Sequence, residues 1–339
     1  MNIFTFLLLF IIPSRATNND TQCPNAPLIP SDRRTDKKYF RLVQYNVEWL
    51  FIDQYKDCPG SSCTWSNDTE ADIHMKWISN VLNDIDGDYI NFCEIEGCDE
   101  LNILKSLTND NYNSYLIKGK DTATGQNVGV LSKIDPIVDL QRSEDREVYP
   151  IKGSSCNYTS DSGTYGVSKH YYTILNINNI SIAIIGAHLI AYPTDKMRCS
   201  YREAQALVLQ KIISELYINN EIIVIGDLND YDGIELDINS HKPKSRVLEI
   251  LKGNYSPYNI SYSLYPVSTF IEQQERYTEW YDANANCKQD KSDLSMIDHV
   301  LVSPNLYNKI INVLPYHLYS QYCNSYNSDH WPIIIDFKF

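Results

Sequence analysis

Positive charge is scarce in this chain. Of its 339 residues, 29 are Lys or Arg and 43 are Asp or Glu, which gives a formal net charge of -14 at pH 7. A deficit of this size argues against a broad basic surface of the kind that binds nucleic acid through charge alone. An acidic protein can still bind a polyanion locally, through divalent cations and a few Lys or Arg side chains.

Long apolar runs are absent after the N-terminus. The run from Phe6 to Ile12 is too short to span a bilayer, which takes about 20 apolar residues. Small residues in Ser14-Arg15-Ala16 follow it and suit signal peptidase. We therefore predict a signal peptide over 1–16, although no Lys or Arg precedes the run, and we expect no stable membrane insertion. A frayed N-terminal strand is the alternative.

Linkers, repeats and low-complexity tracts are also missing, so nothing in the sequence divides the mature chain. Its length of about 320 residues buries ample core without relying on disulfides. We predict an N-terminal extension over 17–40 and one domain over 41–339. No protein partner is implied, and we expect a monomer.

Paired C-x-x-C motifs are absent, which argues against a metal bound by cysteines. The chain instead has nine cysteines, and an odd number leaves at least one unpaired thiol or an intermolecular bridge. They are Cys23, Cys58, Cys63, Cys93, Cys98, Cys156, Cys199, Cys287 and Cys323. Cys58 and Cys63 flank a turn-forming stretch and could close a small loop.

Six Asn-x-Ser/Thr sequons agree with an oxidising, glycosylating compartment. They begin at Asn19, Asn67, Asn157, Asn179, Asn254 and Asn259. Together with the cysteines they predict a protein that is secreted, or that resides in the lumen of the secretory or endolysosomal pathway.

What the sequence does contain is a series of apolar runs that end in polar side chains. Residues 41–50 alternate between apolar and polar, which predicts a strand with Asn46 and Glu48 on one face. The polar face of an ordinary edge strand is the alternative. The next buried strand, 89–93, ends at Glu94. A carboxylate is unfavourable there unless it is paired or metal-bound, so Glu94 is a candidate ligand, with Glu96 as the fallback.

Two later strands deliver further polar residues. The apolar run 180–187 leads to His188, which at such a position is either a catalyst or a hydrogen-bonded structural residue. The strand 221–225 leads to Asp227 and Asn229, which project to one side if the extended conformation persists. The carboxylate can then hold a divalent ion and the amide can donate to a phosphate oxygen. A turn rich in Asp and Asn is the alternative.

The C-terminal part repeats this arrangement. Asp298 lies inside an apolar strand and needs a buried partner, for which a histidine is the natural choice. Asp329 and His330 stand at the mouth of the last apolar strand, where an imidazole can be held against a metal-bound phosphate.

Helices are predicted between these strands. Thr69-Glu70-Ala71-Asp72 and Ser200-Tyr201-Arg202-Glu203 are read as capping boxes that begin two of them. The polar stretch from Arg142 to Lys169 is predicted to be a long surface loop that touches substrate or carries glycan.

Read together, these stretches resemble the endonuclease/exonuclease/phosphatase superfamily, and within it the deoxyribonuclease-I-like branch, over Arg41 to Phe339. The motifs stand in family order as Tyr45-Asn46-Val47-Glu48, Cys93-Glu94-Ile95-Glu96, Gly186-Ala187-His188-Leu189, Gly226-Asp227-Leu228-Asn229, Ile297-Asp298-His299 and Ser328-Asp329-His330-Trp331-Pro332. The resemblance implies an α/β fold, the four-layer α/β/β/α sandwich in which two packed mixed sheets are flanked by helices.

The resemblance also implies a phosphodiester hydrolase, an endonuclease acting on DNA with RNA as the alternative substrate, that depends on Mg²⁺ or alternatively on Ca²⁺ or Mn²⁺. With the predicted signal peptide, this hydrolase would be secreted. Glu94 is implied as the principal metal ligand, and His330, polarised by Asp298, as the base that activates water. The remaining implied site residues are Glu48 and Asp329 for the metal, and Asn46, Asn229 and His188 for phosphoryl oxygens. His188 is also implied as a catalytic histidine near the leaving group, and Asp227 and Asn229 belong to the catalytic set.

Departures from the family pattern bear on the substrate. Deoxyribonuclease I has an Arg, which reaches into the minor groove, where this chain has Glu96. The glutamate partner of its middle histidine has no clear match around Gln126-Asn127. The resemblance therefore does not imply a preference for double-stranded DNA. His188 differs from the Tyr typical of the abasic-site repair branch, and the signature of inositol polyphosphate 5-phosphatases is absent.

Two other functions remain open on the sequence. A phospholipid phosphodiesterase of the neutral sphingomyelinase kind shares the same core, and it predicts an exposed apolar hairpin for membrane contact. A catalytically silent binding protein is the other alternative, against which the intact motif residues argue.

Overall fold

The computed structural model describes residues 22–52, 64–108 and 111–339. The predicted signal peptide, the sequon at Asn19 and the Cys58–Cys63 loop lie outside the described residues. The described helices are α1 (Asp68–Ile85), α2 (Cys98–Leu107), α3 (Lys196–Leu216), α4 (Val247–Leu251) and α5 (Pro304–Tyr307). The described strands are β1 (Tyr39–Leu50), β2 (Tyr89–Ile95), β3 (Asn113–Leu116), β4 (Asn127–Ser132), β5 (Val138–Gln141), β6 (Arg146–Tyr149), β7 (Gly163–Gly166), β8 (Lys169–Ile177), β9 (Ile180–His188), β10 (Glu221–Asp227), β11 (Tyr265–Pro266), β12 (Glu279–Trp280), β13 (Leu294–Ser295), β14 (Asp298–Val302), β15 (Ile310–Pro315) and β16 (Ile333–Lys338).

Two six-stranded sheets form the centre of the fold. The first has the strand order β15-β16-β1-β2-β4-β3 and the second has the order β11-β14-β10-β9-β8-β5. In each sheet one central pair is parallel, β1 with β2 and β9 with β10, and the neighbouring pairs are antiparallel. A parallel pair needs a crossover, which α1 supplies in the first sheet and α3 in the second. Each crossover brings two strand carboxyl ends to the same edge, where the polar residues lie.

Apolar side chains separate four layers. Along β1, Leu42 faces the second sheet and packs in one cluster with Ile184, whereas Val43 packs against α1 and α2 on the other side. The outer face of the second sheet packs on α3 and α4, for example at Leu209. This alternation along a strand follows from its two-residue period. The predicted four-layer sandwich is confirmed.

The two predicted capping boxes are wrong in position. Asn67 is the N-cap of α1, and its side chain accepts a hydrogen bond from the Glu70 backbone N–H. Asp195 is the N-cap of α3, so Ser200 to Glu203 lie inside that helix and are buried or half-buried. In both cases a short polar residue closer to the preceding loop takes the cap, since this is where the first backbone N–H groups are exposed.

The predicted loop from Arg142 to Lys169 is also wrong in part. It contains an antiparallel hairpin, in which β6 pairs with β7 from Arg146 opposite Gly166 to Tyr149 opposite Gly163. The connection between these strands is joined to α3 by the disulfide Cys156–Cys199.

Three disulfides lie within the described residues, as an oxidising compartment would permit. Besides Cys156–Cys199 they are Cys23–Cys98 and Cys287–Cys323, and the free thiol of this part of the chain is the buried Cys93. Cys23–Cys98 fastens the predicted N-terminal extension to α2, and the ion pair of Arg33 with Asp135 at 2.7 Å fastens it again. Among the described residues, no helix is long and apolar enough to span a membrane.

Candidate active site

The site is built around the amide of Asn46, near the carboxyl end of β1. Asn46 is 1% exposed, and its Nδ2 lies 3.0 Å from Asp227 Oδ2, 3.3 Å from Glu94 Oε1 and 3.4 Å from His330 Nε2. Its Oδ1 accepts from the Glu48 backbone N–H at 3.1 Å. One amide therefore contacts residues from both sheets and from the C-terminal loop.

A buried dyad of His330 and Asp298 stands beside this amide. His330 Nδ1 lies 2.7 Å from Asp298 Oδ2, which leaves Nε2 facing Asn46. Asp298 Oδ1 accepts from Gln44 Nε2 at 2.9 Å, so the carboxylate is held from both sides. Burial by itself lowers the pKa of His330, but the charges of Asp298 and Asp329 outweigh it and raise that pKa well above the ordinary value.

Asp227 and Asn229 are brought to the site in a turn. β10 ends at Asp227, and Asn229 adopts the left-handed region at φ 52°, so the motif forms the turn rich in Asp and Asn that was the alternative to a continuing strand. The Asn229 backbone N–H donates to Asp227 Oδ1 at 2.9 Å, and its Nδ2 donates to Leu189 O at 3.2 Å. Burial and the charge of Asp298 raise the pKa of Asp227 well above its ordinary value.

Gly226 permits the close packing of the strand that delivers Asp227. A Cβ at this position would lie 1.8 Å from the carbonyl oxygen of Ala187 on the neighbouring strand. Its φ of 153° is likewise one that side-chain-bearing residues rarely adopt. The glycine of the motif is thus explained by backbone proximity.

His188 lies across β10 from the dyad and is opposite Asp227 in the strand register. It is 3% exposed, and its Nε2 lies 3.6 Å from Asp227 Oδ2 and 3.9 Å from Glu94 Oε1. Its Nδ1 is buried without a hydrogen-bond partner among the described residues. Burial, Lys169 and His330 lower the pKa of His188 well below the ordinary value, so its imidazole is neutral.

Three further carboxylates converge on the same edge. Glu94 accepts from the Trp49 backbone N–H at 3.0 Å, and Glu48 accepts from the Asp329 backbone N–H at 2.9 Å. Glu48, Trp49 and Glu94 all have positive φ, a backbone strain that is concentrated here. Burial, then the charges of Asp329 and Glu94, raise the pKa of Glu48 well above its ordinary value.

The donor set fits a hard divalent cation. The charges of Asp329 and Glu94 disfavour ionisation of Glu48, so a nearby cation would stabilise the three carboxylates, and carboxylate oxygens are the ligands that Mg²⁺ and Ca²⁺ prefer. A second group of donors, from Asp227, Asp298 and His330, has ligand atoms within 4.8 Å of one another. Two of these three residues already hydrogen-bond each other, which leaves fewer free lone pairs for a cation.

The structure brings all nine predicted site residues to one edge of the sandwich, and it adds residues that the sequence reasoning missed. Gln44 is one of them, and its position two residues before Asn46 on β1 could have revealed it. A polar chain continues from it through Gln44 Oε1 and Asn91 Nδ2 at 2.6 Å, Asn91 Oδ1 and Tyr171 OH at 2.8 Å, and Tyr171 OH and Tyr89 OH at 2.9 Å. This polar chain crosses the apolar layer between the sheets.

Glu279 and Lys169 were also missed. Glu279 pairs with His330 in an isolated bridge, and burial raises the pKa of Glu279. Lys169 stands opposite His188 in the β8–β9 register, with its Nζ 3.2 Å from Gln126 Oε1 and 3.2 Å from Asp121 Oδ2. Neither residue lies in a motif, so only the folded chain reveals them.

Solved structures with this fold support the architecture. One is D. rerio TDP2 humanized by 14 mutations, which is 13% identical over 89% of this chain and 100% of that chain, with a TM-score of 0.54. Endonuclease/exonuclease/phosphatases are similar too. The Bacteroides vulgatus protein is 14% identical over 89% of this chain and 99% of that chain, with a TM-score of 0.55. The Beutenbergia cavernae DSM 12333 protein is 11% identical over 89% of this chain and 72% of that chain, with a TM-score of 0.52. At these identities the likeness concerns the fold. No protein-family model and no curated protein matches the sequence.

Proposed function

We propose that this chain is a divalent-metal-dependent phosphodiester hydrolase, and specifically an endonuclease that cleaves DNA, with RNA as the second substrate to test. The observation that carries the proposal is the buried His330–Asp298 dyad, whose Nε2 lies 3.4 Å from Asn46 Nδ2 beside an excess of carboxylates. A histidine fixed by a carboxylate is a suitable general base. Convergent oxygen donors next to it suit a cation that binds phosphate.

In this proposal Glu94 is the principal ligand of Mg²⁺, and Glu48 and Asp329 assist it. Ca²⁺ and Mn²⁺ are the alternatives for the same oxygen donors. The cation supplies charge stabilisation for the phosphoryl oxygens as negative charge develops on them.

The protein groups then have separate tasks. His330 Nε2 takes the proton of the attacking water, and Asp298 holds the ring so that Nδ1 keeps its hydrogen. Asn46, Asn229 and His188 donate to phosphoryl oxygens, and the neutral imidazole of His188 can do so without an added charge. Asp227 fixes Asn46 and Asn229 through its two oxygens.

Secretion belongs to the same proposal. The three disulfides support it, and the apolar run before Ser14 would serve as the signal peptide. The substrate would then be nucleic acid outside the cell or in the lumen of the secretory or endolysosomal pathway.

The test is cleavage of plasmid and single-stranded DNA by the purified protein in Mg²⁺, with and without Ca²⁺. EDTA and the variant His330→Ala are the controls. We expect nicking and fragmentation of the plasmid that both controls abolish, and circular dichroism should show that the variant is folded.

Intact DNA in the presence of folded protein would contradict the endonuclease proposal. The same preparation should then be given RNA, sphingomyelin liposomes and small phosphodiesters. Release of phosphocholine would indicate the lipid phosphodiesterase, and no turnover of any diester would indicate a binding protein.

A further inference from the structure

The loop that follows β9 is unusually well fixed. The guanidinium of Arg202, whose side chain is 0% exposed, donates to four consecutive carbonyl oxygens of this loop. They belong to Ile190 at 3.1 Å, Ala191 at 3.4 Å, Tyr192 at 3.1 Å and Pro193 at 2.9 Å. Gln205 Oε1 also accepts from the Ile190 backbone N–H at 3.0 Å. A buried cation thus holds the chain just after His188 in one conformation.

The fixed loop presents an exposed aromatic ring. Tyr192 is 61% exposed, and its φ of 67° is a conformation that a bulky residue rarely adopts. The guanidinium carbon of Arg198 lies 4.3 Å from the centre of its ring. Strain of this kind persists where the surroundings enforce it, and it is concentrated at binding sites. A tyrosine that only faced solvent would not need this strained backbone conformation.

Tyr192 and Arg198 begin a longer surface feature. Tyr201 lies one turn after Arg198 on α3, and its ring stacks on that of Tyr165 at 4.2 Å, with an angle of 8° between the planes. Tyr149 meets Tyr201 edge-on at 4.5 Å, and Arg146 lies 6.0 Å from the ring of Tyr165. We call the set Tyr192, Arg198, Tyr201, Tyr165, Tyr149 and Arg146 the aromatic–arginine strip.

The chemistry of the strip indicates its ligand. Aromatic rings stack on nucleobases, and guanidinium groups between them attract phosphates and stack on bases, which is how single strands are bound without sequence preference. Among the described residues, neither Arg146 nor Arg198 forms an ion pair with a carboxylate, although the Arg146 guanidinium donates to Thr164 Oγ1 at 3.1 Å and to Thr164 O at 2.6 Å. The two guanidinium groups give a chain of net charge -14 local positive charge to offer a polyanion, beside the carboxylates of Asp161 and Asp121 that also act on the strip's tyrosines.

We propose that the aromatic–arginine strip binds single-stranded nucleic acid that runs from the scissile phosphate past His188, with a base stacked on Tyr192. The proposal rests on the phosphodiesterase function proposed above and specifies its substrate as a single strand. A base paired inside a duplex has no free face for Tyr192, so the strip favours the single strand over the duplex.

The test is fluorescence anisotropy with a labelled oligothymidylate of roughly 12 nucleotides, within the length that one such surface covers. The parent carries His330→Ala to prevent cleavage, and Tyr192→Ala and Arg198→Ala are added to it singly. We expect each to raise Kd about tenfold, since a base–aromatic stack and a guanidinium contact each have an effect of this order. We also expect the parent to bind the matching duplex more weakly. The control Tyr39→Ala removes a tyrosine that is 42% exposed at the other end of β1 and should leave Kd unchanged.

Equal Kd values for the parent and both variants would overturn the strip proposal. Binding of sphingomyelin and phosphatidylcholine vesicles that falls in Tyr192→Ala, while oligonucleotide binding does not, would overturn it in favour of a lipid surface. Hydrolysis of bis(p-nitrophenyl) phosphate by the unsubstituted protein tests the enzymatic function separately. If oligonucleotide binding depends on Tyr192 and Arg198 but the protein does not hydrolyse bis(p-nitrophenyl) phosphate, the proposed hydrolase function is refuted and the proposal for the aromatic–arginine strip is supported.

Discussion

A carboxylate and an imidazole that are buried together set each other's charge. His330 is 5% exposed and Asp298 is 1% exposed, so water screens neither group. The raised pKa of His330 means that it keeps its proton at neutral pH unless positive charge enters among the carboxylates. Its action as a base is therefore linked to the cation that the site is proposed to hold.

The substitution Asp298→Asn tests this pair. Without the carboxylate charge the pKa of His330 should fall, and phosphodiester hydrolysis should fall by about 100-fold or more, because the ring loses both its orientation and its stabilising charge. Histidine resonances titrated by NMR give the pKa, and steady-state rates give the activity. Asp36→Asn makes the same chemical change at an exposed site and serves as control. Lost activity with an unchanged pKa would contradict this account.

His170 should make stability depend on pH. It is 2% exposed, and its Nε2 accepts from the Ser143 backbone N–H at 2.9 Å. Burial and the charge of Arg142 lower its pKa from 6.5 to about 4. The unfolded chain therefore takes up a proton below pH 6.5 that the folded chain refuses until about pH 4, so stability falls as the pH falls through this window. The loss at pH 5 should be about 2 kcal/mol.

Urea unfolding at pH 7 and pH 5 measures this contribution. In His170→Gln the decrease in the free energy of unfolding between the two pH values should be smaller by about 2 kcal/mol, because the other titrating groups are common to both proteins. An identical decrease in both would show that His170 does not titrate as described.

At the residue scale, the site could largely be predicted where a polar residue follows an apolar run. Glu94, His188 and Asp227 are predicted in this way. That His188 Nδ1 has no hydrogen-bond partner among the described residues could not be predicted, because it depends on which side chains the neighbouring strand places beside it. Lys169 occupies that neighbourhood by strand register, which a local sequence pattern does not report.

At the scale of the element, the start of α1 offers a matched pair of variants. Asn67→Ala removes the side chain that caps the helix and should lower the free energy of unfolding by about 1 kcal/mol. Thr69→Ala removes the same glycosylation sequon but keeps the cap. Thermal or urea unfolding of both separates the two effects, and an equal loss in both variants would mean that capping is not responsible.

The hairpin β6–β7 shows why element prediction failed in one region. Its strands have four residues each, and their buried side chains are few, with Glu147 buried and Val148 exposed. The hairpin has no apolar face to pack on the protein. It is instead held by tertiary contacts, in which Tyr165 stacks on Tyr201 of α3. A sequence pattern predicts a strand when apolar residues alternate with polar ones and the apolar ones are buried. In β6 the charged Glu147 is buried and the apolar Val148 is exposed, so the pattern does not predict this strand.

At the scale of the whole molecule, the disulfide Cys23–Cys98 closes a loop with a sequence separation of 75. Cys23→Ala combined with Cys98→Ala should lower the free energy of unfolding by about 2–4 kcal/mol, since the unfolded chain gains the entropy of the open loop. Urea unfolding measures this. The pair Cys287→Ala and Cys323→Ala opens a separation of 36 and should cost less. No loss in the first pair would contradict the entropic account.

The layer order was predictable from the motif resemblance, but the arrangement of the sheets was not. Apolar runs at 89–93 and 221–225 establish that strands are buried, without stating which sheet each joins. The division of the site between Asn46 and Glu94 on one sheet and His188, Asp227 and Asp298 on the other depends on long-range pairing.

The polar chain from Asp298 through Gln44, Asn91 and Tyr171 to Tyr89 has a consequence for redesign. Two sheets that pack only through apolar side chains can shift relative to each other by one residue and still exclude water. A row of hydrogen bonds between the sheets forms at only one relative position of the two. This row of hydrogen bonds therefore fixes the relative position of the two sheets, and with it the two halves of the site. We expect a core rebuilt with Leu at Gln44 and Asn91 to lose catalysis even if it gains stability, because the bond of Asn46 to Asp227 would then have to hold the alignment of the two layers without this polar chain.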